Sequence, residues 1–187
     1  MKDIQTKPVD SGAADGSGIP IPRICFVCEC NEGRSAHMEL AVRDRLRRRG
    51  LQADLCSAGF TQGQRIYDFR RGFLRERGIP EAEIVGHRPS VFGAAHAGAD
   101  LILVAELPMV ERLLRNHPEL RGRVMTIRGF AQGRDPDNDL DKARAHIEDA
   151  AGHGMEEKVR LYNELETLAD LIAERLAGGS FVPDQPG

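Results

Sequence analysis

Apolar positions along the chain fall into two recurring patterns: short unbroken runs, and longer stretches where they return every three or four residues. "RICFVCE" (23–29) is a β-friendly run that ends in a polar turn, and helical spacing follows from about Ser35 to Arg49. "ADLCSAG" (53–59) predicts a second short strand. "DFRRGFLRERG" (68–78) has helical spacing and stops at Gly78, a residue suited to the left-handed end of a helix. "ADLILVAE" (99–106) is apolar throughout its centre, as in a strand covered on both faces. "MVERLLRNHP" (109–118) reads as helix and "RVMTIRGF" (123–130) as a fourth strand. "MEEKVRLYNELETLADLIAERLAG" (155–178) predicts a long helix with Val159, Tyr162, Leu165, Leu168, Ala169 and Ile172 along one side. Strands separated by helices call for an α/β fold: a four-stranded parallel sheet with helices on both faces. Such sheets bind ligands beyond the carboxyl ends of their strands, near the point where strand order reverses.

Residues 1–22 and 179–187 are rich in Gly, Pro, Ser and Asp and read as flexible tails around one domain, 23–178. The formal net charge of −3 gives no basic footprint for nucleic acid. Arginine supplies 22 of the 26 basic residues, and its densest run, "RDRLRRRG" (43–50), sits late in a predicted helix. Cations there complement the helix dipole and face water. No apolar stretch has the length of a membrane span, and the N-terminus lacks a signal-peptide pattern. Four cysteines without a secretory signal then point to reduced thiols and a cytoplasmic protein.

The candidate chemistry lies in "VCECNEGRSAHME" (27–39), at the end of the first strand. Cys28 closes the strand, a short polar loop follows, and Arg34-Ser35 opens a helix. Backbone N–H groups of such a loop can converge on one phosphate-sized anion, and an arginine can add two parallel hydrogen bonds to its oxygens. The same field favours the thiolate of a cysteine. A metal site would need Cys25, Cys28 and Cys30, with or without His37, to converge, but strand alternation sends Cys25 and Cys28 to opposite faces. No metal and no cofactor are expected.

"FVCECNEGRSAHMELAVRDRL" resembles the active-site segment of the low-molecular-weight protein tyrosine phosphatases, whose pattern is strand, Val-Cys-x-x-Asn-x-x-Arg-Ser, then helix. The likeness continues through "SAG" (57–59), "LRERGI" (74–79), "GHR" (86–88) and "ADLILV" (99–104) to the closing helix. The same fold family includes thioredoxin-coupled arsenate reductases and protein arginine phosphatases. The resemblance implies the phosphotyrosine phosphatase I-like fold and a phosphorylated protein or small phosphoester as substrate. It makes Cys28 the nucleophile that becomes a phosphocysteine, and Arg34 the holder of the equatorial oxygens. The phosphate-binding loop would be Glu29, Cys30, Asn31, Glu32, Gly33 and Ser35. Ser35 would donate its hydroxyl to the thiolate, Asn31 would hold the loop's shape, and Ser57 and His87 would brace Asn31.

Several positions depart from the family pattern. Glu29 and Glu32 stand where small or apolar residues are more usual, and their charge opposes both a thiolate and a phosphate dianion unless they point outward. Alternatively they favour a substrate with positive character beside the phosphoryl group, such as phosphoarginine. Gly33 replaces a frequent cysteine; a bridge from Cys28 to Cys30, only two residues away, would be strained, and Cys56 on the neighbouring strand is another possible partner of the nucleophile. For the general acid, Asp149 fits the family's "Ile-Pro-Asp-Pro-Phe-Gly" ending through Ile147, Gly152 and Tyr162, with Ala150 in place of the proline. Asp135-Pro136 is the other candidate, in an acidic, turn-like stretch. Only Tyr67, Phe69 and Phe60 remain as aromatic walls, which implies weak grip on phosphotyrosine peptides. Two other functions share these residues: an arsenate reductase with a thiol partner, and a phosphate-binding module without catalysis.

Overall fold

The computed structural model describes residues 21–134 and 145–179. Four parallel strands, β1 (Ile24–Cys28), β2 (Leu55–Gly59), β3 (Leu101–Val104) and β4 (Val124–Thr126), form one sheet in the order β2-β1-β3-β4. The chain steps outward from β1 to β2, then crosses back to β3, so strand order reverses beside the carboxyl end of β1. β1 and β3 are buried along their whole length, which explains why their sequences are apolar without alternation.

Among the described residues seven α-helices accompany the sheet: α1 (Arg34–Arg48), α2 (Asp68–Glu76), α3 (Glu81–Gly86), α4 (Ala94–Ala97), α5 (Leu107–Asn116), α6 (Ile127–Ala131) and α7 (Met155–Ala177). The stop at Gly78 is observed, with φ of 82° two residues after α2 ends. The fourth strand is shorter than the sequence suggested. After Thr126 the chain turns into α6, because the Thr126 hydroxyl accepts the Gly129 N–H at 2.9 Å and Ile127 and Phe130 bury together at helical spacing. The short helices α3 and α4 were not anticipated.

The arginine run of α1 also differs from expectation. Arg47 and Arg48 are exposed and both reach the buried carboxylate of Asp44, but Arg45 folds inward against α7. There it bonds Asp170 at 2.5 Å and Glu166 at 2.8 Å, while Glu166 also takes His37 at 2.6 Å. His37 is fully buried between the rings of Phe73 and Tyr162, and burial pushes its pKa down to about 4. Burial opposes ionisation of Glu166, yet the bonds from His37 and Arg45 outweigh it and hold that carboxyl down at about 2. This polar seam fixes α1 against α7, and with it the start of α1 at the end of β1.

Candidate active site

Residues 28–35 form a loop from the end of β1 into the first turn of α1. Asn31, fully buried with φ of 55°, is the one described non-glycine residue in the left-handed region. Its amide donates to Ser35 Oγ at 2.9 Å and Ser57 Oγ at 2.7 Å, and its Oδ1 accepts the Ser90 N–H at 3.0 Å. His87 Nε2 donates to the Asn31 carbonyl at 3.1 Å. With both amide hydrogens committed to hydroxyls, each serine must direct its own proton elsewhere. Ser57 donates to Glu39 Oε2 at 2.5 Å, and Ser35 faces Cys28 Sγ at 3.0 Å. One chain of polar contacts therefore runs from Glu39 to the Cys28 sulfur.

Two glycines let neighbouring backbone lie against this loop. A Cβ on Gly59 would come within 2.8 Å of Asn31 N, and one on Gly63 within 2.1 Å of the Cys30 carbonyl. Both glycines lie in "SAGFTQG" (57–63), the first within the "SAG" that carries the family resemblance.

Arg34 is 3% exposed. Its Nη1 donates to Glu106, and to the Ile147 carbonyl at 2.8 Å; its Nη2 donates to Asp149 Oδ2 at 2.9 Å. Nε is buried with no hydrogen-bond partner. Asp149 also accepts the Ala151 N–H on Oδ1 at 2.9 Å, a local turn that stiffens the segment where the family pattern has proline. The segment is clipped to the sheet by Ile147 N–H donating to the Ala105 carbonyl at 3.0 Å. Asp135 lies outside the described residues. Glu106, the residue that ends the apolar run after β3, was missed in the sequence; its place at the carboxyl end of a central strand was the available signal.

The two loop carboxylates have partners away from the thiol. Glu29 faces Arg112 at 3.3 Å, and Glu32 accepts the Gln64 N–H. Of the three aromatic candidates, the Phe60 ring lies beneath Arg112 and Phe69 packs on Tyr162, while Tyr67 is 57% exposed. Cys56 is ruled out as a close partner for Cys28. It pairs in register with Cys25, whereas Cys28 pairs with Gly59, so the Cα atoms of Cys28 and Cys56 are offset by three residues along the strands, about 10 Å, too far for a disulfide. Cys30 instead sits 3.5 Å from the Thr61 hydroxyl. Among the described residues no group of three His, Cys, Asp or Glu side chains could hold a metal ion, and no helix is long and apolar enough to cross a membrane.

The family model for "Low molecular weight phosphotyrosine protein phosphatase" matches residues 23–179. The chain belongs to this family. Solved structures agree with that assignment. The YwlE arginine phosphatase from Geobacillus stearothermophilus is 26% identical, with TM-score 0.67, over 83% of this chain and 92% of its own. A low molecular weight protein tyrosine phosphatase from T. tengcongensis is 25% identical, with TM-score 0.68, over 82% and 99%. A YwlE mutant from Bacillus subtilis shares the fold at 22% identity and TM-score 0.70, over 83% and 98%. No curated protein sequence matches. The family supports a cysteine-based phosphatase and does not favour the arsenate reductase reading.

Proposed function

We propose that Cys28 is the nucleophile of this phosphatase and that it acts on a phosphorylated protein side chain of the phosphotyrosine type. The observation that carries this reading is a thiol and a buried guanidinium on one loop, the sulfur 3.0 Å from the Ser35 hydroxyl and Arg34 with an unpartnered Nε. The Cys28 thiolate attacks phosphorus, the ester oxygen leaves with the bond's electron pair, and a phosphocysteine forms. Arg34 offers Nε and Nη2 to two equatorial oxygens, so the dianion takes the place of Asp149 on Nη2. Asp149, protonated in that complex, passes its proton to the leaving oxygen. Water then attacks phosphorus, Asp149 takes the water's proton, and the thiolate departs with the S–P electron pair to leave inorganic phosphate. Asn31, Ser57 and His87 hold the loop in its left-handed turn so that its N–H groups need no rearrangement as charge builds.

The outward pairing of Glu29 and Glu32 supports the plain phosphoester reading over one that needs a cationic substrate. Four free thiols suit a reducing, cytoplasmic compartment. The test is hydrolysis of para-nitrophenyl phosphate by the wild type and by Cys28→Ser, followed by arsenate-dependent thiol consumption. Hydrolysis that vanishes in the serine variant supports the phosphatase. Thiol consumption without hydrolysis, or neither activity, overturns it.

A further inference from the structure

Arg70, in the first turn of α2, is 2% exposed and among the largest fully buried side chains. Neither its Nε nor its Nη1 has a hydrogen-bond partner, and no described carboxylate forms an ion pair with it. Asp68, the acid nearest in sequence, pairs with Arg71 and Arg65 instead. Glu166 is occupied by His37, Arg45 and Arg77. The guanidinium carbon lies 4.1 Å from the centre of the Tyr162 ring, a weak substitute for a counter-ion. A protein interior rarely tolerates a cation left so short of partners.

The position of this guanidinium suggests what it is held for. Its Nη2 lies 3.4 Å from where a Cβ on Gly33 would stand, so it packs directly against the phosphate-binding loop just before Arg34. We propose that Arg70 is a second cation of the phosphate site, kept without an acidic partner so that its charge acts on the phosphoryl dianion from the Gly33 side of the loop. Burial draws its pKa down, while Tyr162, Asp149 and Cys28 favour its charged form. His37, which also faces it, stays neutral through burial and so contributes no competing positive charge near neutral pH. The inference rests on the phosphatase reading and adds to it a residue outside the loop motif.

The experiment measures inhibition by inorganic phosphate, kcat/KM on para-nitrophenyl phosphate and the thermal midpoint for wild type, Arg70→Met, Arg70→Gln and Arg70→Lys. Both neutral variants should weaken phosphate inhibition and lower kcat/KM by about 10-fold, the size of one lost charge-assisted contact. Arg70→Lys should recover both to within about 3-fold, since charge rather than the planar fork is required. The thermal midpoint of Arg70→Met should hold or rise, because removing an unpartnered buried charge relieves desolvation. A merely structural arginine predicts the reverse: a lower midpoint in every variant and phosphate inhibition within 2-fold of wild type, roughly the precision of such constants. That result, or failure of both neutral variants to fold, overturns the inference alone. A wild type that neither binds phosphate nor hydrolyses the ester overturns the phosphatase reading and this inference with it.

Discussion

Arg45 and Arg70 are both drawn in from solvent, and by opposite means. Arg45 sits at the α1–α7 seam with Glu166 and Asp170 on its guanidinium, and although burial works against its charge, those bonds raise its pKa. Arg70 sits at the carboxyl ends of the strands with a ring face and a loop glycine for company, and burial lowers its pKa. Around Arg45 every charge is answered by the protein, so that cluster fastens two helices and has nothing left for a ligand. Around Arg34 and Arg70 donors are left over, Nε on one and Nε and Nη1 on the other. Arg34 is paired as well, with Glu106 and Asp149, and differs from Arg45 in keeping a buried Nε without a partner beside the loop, the donor that the proposed function assigns to the phosphoryl group.

Changes at the strand ends should therefore alter chemistry, and changes at the seam should alter stability. The largest effect is expected from Arg34→Lys, which keeps the charge and loses the two-point grip: turnover should fall by at least about 100-fold. A variant within a few-fold of wild type would remove Arg34 from the site. Asp149→Ala should slow phosphate esters with poor leaving groups by about 100-fold and activated aryl phosphates much less. If Asp135→Ala shows that leaving-group dependence and Asp149→Ala does not, the acid is Asp135. At the seam, Glu166→Leu should cost about 2–3 kcal/mol in denaturant unfolding while kcat stays within a few-fold. Loss of turnover without loss of stability would erase the division between the two regions.

The smallest effect is one of pH. His37 titrates near 6.5 when unfolded and is lowered to about 4 when folded, so the unfolded chain binds the extra proton in between. Stability should fall as pH drops from about 6.5 toward 4, by roughly 2 kcal/mol, and Glu166 extends the loss below about 4.5 as its folded-state advantage is titrated away. His37→Gln should flatten the upper part of that curve. An unchanged slope in urea titrations at pH 6.5 and 4.5 would show that His37 is not the group responsible.

The sequence made the central strands and α7 plain because each carries one uniform pattern over its length: Ile24–Cys28 and Leu101–Val104 are wholly apolar, and Leu161 to Leu176 repeats at helical spacing. The helices α3 and α4, of six and four residues, are too short for any period to register. At β4 the apolar residues of "VMTIRGF" satisfy both templates, and the hydroxyl of Thr126 decides where strand gives way to helix. The loop from Cys28 to Ser35 was legible because strand end, polar turn and helix start follow one another directly in the chain, and the roles expected of its residues came from the family resemblance. Glu106, which reaches Arg34, and Arg70, which packs against Gly33, were not, since only the fold brings them to the loop. Arg70 did leave a trace: it shares the buried face of α2 with Phe73 and Leu74, a charge on an apolar stripe.

The contacts of Arg34 with Asp149 and Glu106 have a consequence for selectivity. With Arg34 in the substrate-holding role proposed above, the protein supplies its own competitor at rest, two carboxylates on that guanidinium. Any incoming anion must outbid them, and its apparent affinity is reduced by the fraction of time Arg34 is engaged. A dianion brings twice the charge of a carboxylate and can displace one at modest cost. A sulfate monoester or a phosphodiester brings a single charge and gains little by the exchange. The arrangement is a threshold on ligand charge, set before any contact with the rest of the substrate.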